Sequence, residues 1–335
     1  MRPVVLDPAP AVVAASVLTP LGTDPRALEP RPDPRAHPGT EVPVDLAQAT
    51  GEPPLRLRRM DRYAALGLAA ASGALRGAPA APAGKGDPEW GLFVGSSLAC
   101  WSSNARFFLE EERRTPLELS PALFARTVPN AVNGEISIAH RIGGPSQTFV
   151  SGWAAGAEAL AEAAALLAAG GARYILAGGV EAPDDLLRRM HGALRGDPAQ
   201  GWLPAQIAEA AAILVLTADA EHAATGPIRI RAFLRCHDPL GALSLARAAQ
   251  DLPLPPVETL IVANSVASET LERWRLDLPG AERVIVPAAT GEIGAAGAPA
   301  AAALAAARAR AGRTGTVLIV ARGVEGATLL LALAP

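Results

Sequence analysis

The stretch most able to carry chemistry runs from Gly144 to Ala172, "GPSQTFVSGWAAGAEALAEAAALLAAGGA". It reads as a buried strand, a tight turn and a long helix of small residues. A turn of this kind presents a nucleophile at the N-terminus of the helix. There the helix dipole and the orphan N–H groups favour a thiolate and an oxyanion. The residue at the turn is Trp153. Indole offers one N–H donor and no nucleophile at neutral pH, so Trp153 cannot form a covalent intermediate there. Trp also buries on the order of 150–250 Å², a large apolar group for such a turn. Ser151, two residues earlier, is a weaker nucleophile candidate because no His follows it nearby.

The remaining reactive side chains form no constellation. Cys100 and Cys236 are the two cysteines; that usage fits a reducing cytoplasm and gives no disulfide framework. Cys100, beside Trp101, reads as a small buried apolar group. His140 and His237 read as surface or hydrogen-bonded histidines. Scattered His and Cys give no metal-ligand spacing, so neither a metal nor a cofactor is expected. Glu181 and Glu325 read as locally capped or paired carboxylates without chemistry.

Composition excludes several classes. The chain has 335 residues, 50% of them hydrophobic, and a formal net charge of −3. That length gives one large domain or two fused halves. A near-balanced charge carries no footprint for nucleic acid. No uninterrupted apolar run is long enough for a membrane span, and "MRPVVLDPAP" does not read as a secretory signal.

The elements that position the turn follow from pattern. A helix is expected from about Arg59 to Leu75, with Tyr63, Leu66, Leu68 and Ala69 at helical spacing. Ala78–Pro88 is a Pro- and Gly-rich loop. Trp90–Ser97 is a short buried strand. Ala105–Arg114 is a helix with Phe107 and Phe108 on its apolar side and a solvated "EEERR" run. "EISIAHRI" is compatible with strand or helix. "RYILAGG" and "TVLIVAR" are continuous apolar runs, expected for strands covered on both faces.

The order of elements repeats. "GWAAGAEALAEAAALLAAGGARYILAGGVEA" is echoed by "GEIGAAGAPAAAALAAARARAGRTGTVLIVARGVEG", with Gly-Val-Glu triplets starting at 179 and 323, 144 residues apart. Duplication on this scale implies two similar α/β halves facing each other, with buried small-residue helices between them.

Taken together, these segments resemble the β-ketoacyl synthase family, which has the thiolase fold. The resemblance runs the length of the chain. It includes "VVAASVLTPLG", "LRRMDRYAALGLAAASGAL", "SPALFARTVPNAVNGEISIAHRIGGPS", "AGGVEA", "GWLPAQIAEAAAILVL", "TGEIGAAGA" and "RGVEGATLLLAL". It implies an α/β thiolase fold with duplicated βαβαβ halves in an α/β/α/β/α five-layer arrangement. The N-terminal half would span 1–225 and the C-terminal half 226–335.

Such a synthase needs a Cys and two His. The resemblance lays the Cys position on Trp153 and the first His on Asn264, with Ser265 as the out-of-register option. It lays the second His on Glu292 and a preceding Lys on Pro287. An ionised carboxylate at ~4 Å from a developing enolate would oppose it by about 4 kcal/mol at an effective dielectric near 20, roughly a thousandfold in rate. A protonated Glu292 could donate, which needs a pKa raised by burial.

The resemblance therefore points to a chain-length-factor-like subunit, not catalytic by itself. Such a subunit would work in the cytoplasm, paired with an active ketosynthase and served by an acyl carrier protein. The assembly would make polyketides, aryl polyenes or related fatty-acyl chains. On this reading Leu123, Thr127 and Val128 line the partner's tunnel across the interface, with Phe107 and Phe108 nearby. The "QTFVS" strand would pair with its counterpart about a two-fold axis, in a heterodimer or a homodimer. Known chain-length factors carry Gln where this chain has Trp153. The chain is also short for the family, with trimmed segments after "LGTDPRALEP", near "HDPLGALSLARAA" and after Asn264. Two alternatives stand beside this reading. One is a thiolase-fold enzyme of altered acyl-transfer, hydrolytic or dehydrating chemistry using Glu292 and Asn264. The other is a homodimeric acyl-binding scaffold.

Overall fold

The computed structural model describes residues 2–30, 39–112, 119–195, 206–237, 244–252, 254–323 and 326–335. Glu325, the Arg113–Arg114 end of the "EEERR" run, and parts of the "GWLPAQ" and "HDPLGA" segments lie outside them.

Eleven strands form the framework: β1 (Val4–Val5), β2 (Ala11–Leu18), β3 (Trp90–Gly95), β4 (Ser146–Phe149), β5 (Tyr174–Glu181), β6 (Ala210–Thr217), β7 (Arg229–His237), β8 (Val257–Val262), β9 (Glu282–Ile285), β10 (Thr316–Arg322) and β11 (Ala327–Ala334). Their order is β4-β3-β5-β6-β2-β7-β11-β10-β8-β9, with β1 paired to β7. Divided into two sets of five, the order is the same on both sides of the β2–β7 junction. In each set the first strand in sequence is outermost toward the junction, and the last lies antiparallel beside it. The other three are mutually parallel. The sets meet through one residue pair, Ala11 and Arg229. The expected duplication is thus visible as identical strand order.

The helices are α1 (Leu46–Thr50), α2 (Pro54–Leu57), α3 (Arg62–Arg76), α4 (Trp101–Glu111), α5 (Pro121–Phe124), α6 (Ala131–His140), α7 (Ala155–Ala168), α8 (Asp185–Arg195), α9 (Ala220–Ala223), α10 (Leu245–Asp251), α11 (Ser268–Asp277), α12 (Val286–Thr290) and α13 (Gly297–Arg310). α7 packs on β3, β4 and β5 and also reaches β11; α13 packs on β10 and crosses to β2, β5 and β6. Both therefore lie between the two half-sheets. α3 and α6 cover the outer face of the first, and Leu245, Ala248 and Trp274 of α10 and α11 cover the second. The result is five layers. A helix buried on all sides must be apolar all round, and the buried residues of α13 are Ala and Gly apart from Pro299, Leu304 and one charged residue, Arg308. Arg308 is held by carboxylates of Glu29 and Glu282.

Small residues also set how closely the layers approach. At Gly156, on the first turn of α7, an added Cβ would lie 1.8 Å from the Ala295 carbonyl oxygen; at Gly179 of β5 it would lie 2.1 Å from the same atom. The two halves touch backbone to backbone at this point.

Several expectations are refined. The helix placed at 59–75 begins at Arg62, where Asp61 caps it by accepting from the Ala64 N–H. "EISIAHRI" is helical and falls within α6. The helix placed at 105–114 starts at Trp101, and its one fully buried residue is Ser103; Phe108 is 61% exposed. The assigned apolar side thus faces outward, because α4 lies on the surface. The repeat register also shifts. The turns at 152–154 and 294–296 and the helices at 155–168 and 297–310 are offset by 142 residues, not 144. Glu181 lies inside β5, whereas Gly323 lies beyond the end of β10, so the two triplets are not equivalent.

Substituting Gly156→Ala should destabilise the fold by about 3 kcal/mol or more, since the new methyl meets backbone that cannot rotate away. A denaturant titration of the variant against the parent chain checks this, and an unchanged midpoint would contradict the packing described.

Candidate active-site cavity

Two tight turns face each other at the centre of the molecule. Residues 152–154 form a 3₁₀ turn leading into α7, and 294–296 form its counterpart leading into α13. Gly152 and Gly294 enter them with φ of +71° and +50°, a region costly for residues with a Cβ. Trp153 sits in the first turn, half-buried.

Around these turns lies a cavity of about 170 Å³. Its apolar wall is Leu98, Trp153, Pro183, Leu187, Met190, Ile207 and Ala208; its polar groups are Ser97, Glu181, His191, Glu292 and the Gly294 backbone. α8 supplies Leu187, Met190 and His191. Residues 206–208 run beside Glu292, joined by the Ala208 N–H to the Glu292 carbonyl at 2.9 Å and the Glu292 N–H to the Gln206 carbonyl at 2.8 Å.

Glu292 is 2% exposed. One carboxylate oxygen accepts from Asn264 Nδ2 at 3.1 Å and the Gly294 N–H at 2.7 Å; the other accepts from the Ser265 N–H at 2.5 Å. Asn264 Nδ2 also donates to the Gly294 carbonyl at 2.8 Å, while Asn264 Oδ1 is buried without a partner among the described residues. Burial pushes the Glu292 carboxyl above the usual range, against the lowering effect of these donors.

Glu181, read from sequence as a locally capped residue, is in fact the second carboxylate of the cavity. It is 2% exposed. Oε1 accepts from the Ser97 N–H at 2.5 Å, the Ser97 hydroxyl at 2.6 Å and the Ala295 N–H at 3.0 Å. Oε2 has the longer contacts, from the Leu98 N–H at 3.3 Å and the Ser96 hydroxyl at 3.4 Å. Burial raises its pKa to about 7, and the donors only partly oppose that. The available signal was a charged residue ending an otherwise apolar buried strand. Its partner 114 positions away could not be read from spacing. His191 and Met190 were also missed, because α8 reads as a solvated, charged helix.

The structure therefore brings Trp153, Asn264 and Glu292 together, Asn264 acting through its bond to Glu292. It places the other candidates elsewhere. Phe107 packs near Phe108 and Phe124, with ring centroids 6.2 and 5.6 Å away. Val128 is 44% exposed and Thr127 half-buried, its hydroxyl donating to the Phe124 carbonyl. Leu123 is buried within its own chain, and the more exposed apolar group beside Val128 is Phe124, at 60%.

Other reactive groups are engaged. Ser151 donates to Glu158 at 2.5 Å. His140 Nε2 lies 2.9 Å from the Ser72 hydroxyl, and burial lowers its pKa. Burial raises the Cys100 thiol, which keeps it a protonated, apolar group. Asp219, Glu221 and His222 come close enough to share a cation, but Asp219 already caps α9 and binds Arg173, and His222 meets the Tyr174 hydroxyl. No helix among the described residues is long and apolar enough to cross a membrane.

Comparison with known proteins agrees with this architecture. Residues 44–188 match the family model of the beta-ketoacyl synthase N-terminal domain. A 3-oxoacyl-[acyl-carrier-protein] synthase 2 of Rhizobium meliloti (strain 1021) is 30% identical over 133 residues, 39% of this chain and 31% of that protein. The chain thus aligns with about a third of the curated relative's length. Among solved structures, the ishigamide ketosynthase/chain length factor superposes with a TM-score of 0.80 at 22% identity, over 97% of this chain and 99% of that one. A type II acyl-carrier protein in complex with its ketosynthase bound to the hexaketide gives 0.78 at 16% identity, with 97% and 99% covered. A beta-ketoacyl synthase from Burkholderia phymatum STM815 gives 0.73 at 17%, with the same coverage. The fold is the α/β thiolase fold of ketosynthases.

The raised carboxyl pKa values carry a pH consequence. Folded Glu181 binds its proton more tightly than the unfolded chain does, so the stability that this group contributes is fully present below about pH 4.5 and is lost as pH rises toward 7. Glu292 acts in the same direction. Glu181→Gln should flatten the fall in unfolding free energy between about pH 4.5 and 7 by up to about 3 kcal/mol. Urea titrations across that window check it; an unchanged slope would refute the assignment.

Proposed function

We propose, from the match of residues 44–188 to the beta-ketoacyl synthase N-terminal domain, that the chain is a β-ketoacyl synthase homologue acting as a non-catalytic, chain-length-factor-like subunit. It would pair with a catalytic ketosynthase and shape that partner's acyl tunnel. The setting would be type II polyketide, aryl-polyene or fatty-acyl assembly, with acyl groups delivered by an acyl carrier protein.

The observation that carries this reading is the chemistry of the cavity. Where the resemblance places a nucleophilic Cys, the turn holds the Trp153 indole. Where it places two imidazole donors, it holds Asn264 and Glu292, bonded to each other at 3.1 Å. Condensation needs N–H donors aimed at a developing enolate. Here the amide donors of Asn264 are spent on Glu292 and the Gly294 carbonyl, and the carboxylate adds an acceptor of the wrong sign. The cavity is also too small for a growing acyl chain alongside the carrier's arm.

The surface supports a partner. β4 ends the sheet order, so its outer edge is unpaired among the described residues. Val150, just beyond it, and Ile138, on the helix α6 that packs against it, are exposed apolar groups, as are Phe124 and Val128 in the segment before α6. In the ketosynthase arrangement this edge pairs across a two-fold axis. Phe124 and Val128, with Thr127 between them, would then face the partner's tunnel, and the buried Leu123 would support them from behind. The halves at 1–225 and 226–335 would each act as one thiolase-like unit. The similarity to the ishigamide ketosynthase/chain length factor is consistent with this role.

Co-expression with a ketosynthase that has an intact Cys and His pair should give a 1:1 complex, and Thr148→Pro, which removes a donor at the edge strand, should abolish it. The isolated chain should show no acyl adduct by mass spectrometry after incubation with acyl-carrier protein. An adduct, or chain elongation without a partner, would overturn the reading.

The alternative enzymatic reading, with Glu292 and Asn264 as the chemical groups, separates through a second variant. In the complex, Glu292→Gln should leave turnover within about threefold of the parent. A loss of about a hundredfold or more would favour altered chemistry over an inert pair.

A further inference from the structure

A buried line of hydroxyl groups leads out of the cavity toward the segment before α6. It starts at Glu181. Oε1 of that carboxylate accepts three donors, the Ser97 N–H, the Ser97 hydroxyl and the Ala295 N–H. Oε2 has only longer contacts, from the Leu98 N–H at 3.3 Å and the Ser96 hydroxyl at 3.4 Å, so a proton on this group belongs on Oε2. Ser96 is fully buried. Its oxygen accepts the Ala99 N–H at 2.7 Å, and its hydroxyl also meets that of Tyr63. Tyr63, buried on α3, reaches the Pro129 carbonyl at 3.3 Å. Pro129 follows Thr127 and Val128 in the link between α5 and α6.

The direction of this line is set at its Glu181 end. A hydroxyl has one proton to donate. When Glu181 is ionised, Ser96 donates to Oε2 and presents its remaining lone pair to Tyr63, which turns its proton inward. When Glu181 carries a proton, Oε2 becomes a donor to Ser96. Ser96 then donates to the Tyr63 oxygen, and Tyr63 donates outward to the Pro129 carbonyl. Bonds aligned head to tail strengthen one another, so these are two discrete arrangements. The long contacts at 3.3 and 3.4 Å fit groups shared between them. Pro129 is exposed, so its carbonyl can turn to water when released.

We propose that Ser96 and Tyr63 form a hydroxyl switch, which ties the Pro129 carbonyl to α3 when Glu181 is protonated and releases it when Glu181 is ionised. The one proton gained or lost is that on Glu181, exchanged through the cavity it lines. Burial places the change at about pH 7. Burial and then the Glu181 charge push the Tyr63 phenol upward, so Tyr63 keeps its own proton throughout. The other titratable groups facing the line are Asp61 and Cys100 beside Tyr63, and His191 and Glu292 in the cavity. Asp61 is held by the Ala64 N–H and the Ser103 hydroxyl, and burial keeps Cys100 a thiol. Every group of the switch belongs to this chain, so it does not rest on the proposed ketosynthase partner.

Amide hydrogen exchange of peptides covering 122–131 tests this, measured on the full chain between about pH 5.5 and 8.5 and corrected for the intrinsic pH dependence of exchange. Protection there should fall about fivefold as pH rises through 7, as expected for one net hydrogen bond. Glu181→Gln, whose amide donates to Ser96 at every pH, should hold the segment at its low-pH protection. Tyr63→Phe should hold it at the high-pH level. Ser96→Ala breaks the line one step earlier and should also flatten the response, which covers a failure of Tyr63→Phe to fold. Both variants keep Glu181, so their global stability still varies with pH and the local tie is separated from overall loosening. Glu292→Gln and His191→Gln should leave the segment's response in place. A flat profile in the parent chain, or a response that survives in Tyr63→Phe or Ser96→Ala, would overturn the proposal.

Discussion

The two halves of the molecule meet where the Ala295 peptide lies against Gly156 and Gly179, and everything else in the centre depends on that contact. No side chain separates the chains there: an added Cβ would come within 2.1 Å of the Ala295 carbonyl at either glycine. Such closeness aligns the start of α7 with the start of α13 and brings both entry turns to one cavity. Glu181 fixes the contact chemically, since its carboxylate accepts the Ala295 N–H from one half and the Ser97 N–H from the other. Removing a partner from a buried carboxylate costs more than an ordinary hydrogen bond. The staple therefore restrains the relative position of the halves as well as the cavity wall.

Within that frame, the Asn264–Glu292 pair is a self-contained solution to a buried polar problem. A carboxylate with no cation nearby survives burial only if donors surround it or a proton neutralises it. Here both operate. Three N–H donors from Asn264, Ser265 and Gly294 surround the group, and burial still shifts its pKa upward. Repurposing such a carboxylate as a base for new chemistry would mean breaking these bonds at the moment of reaction. The pair thus reads more naturally as a structural replacement than as a new catalytic dyad.

Much of the architecture was legible because local pattern and global role coincide. The apolar runs of β5 and β10 are strands buried on both faces, and the Ala-rich segments are the two helices between the sheets, as their composition requires. Trp153 was legible because a strand–Gly–helix elbow marks its own apex. Legibility stopped where partners are remote in sequence. Glu181 looked local because its bonds to Ser97 and Ala295 span 84 and 114 residues. The repeat register slipped by two because matching Gly-Val-Glu letters fall inside one strand and beyond the end of the other. Phe107 and Phe108 suggested an inward face, yet α4 lies on the surface; whether apolar groups point to the core or to a partner is a tertiary fact that periodicity does not contain.

The two outer edges of the sheet differ in a way that bears on the proposed partner. At one end, β9 carries Glu282 and Arg283 and is followed by Pro287; charges and a nearby proline are how sheets discourage further strands. At the other end, β4 reads Ser-Gln-Thr-Phe and has no charge at all. Ser146 and Gln147 are exposed, and Val150 just beyond the strand is 52% exposed. An unguarded edge beside apolar surface is a liability for a chain that stays alone, because it templates aggregation. It is an asset for a chain that docks by extending its sheet into a neighbour. The same sequence guards one edge and leaves the other bare, and that asymmetry is what selection for a specific partner at β4 would produce.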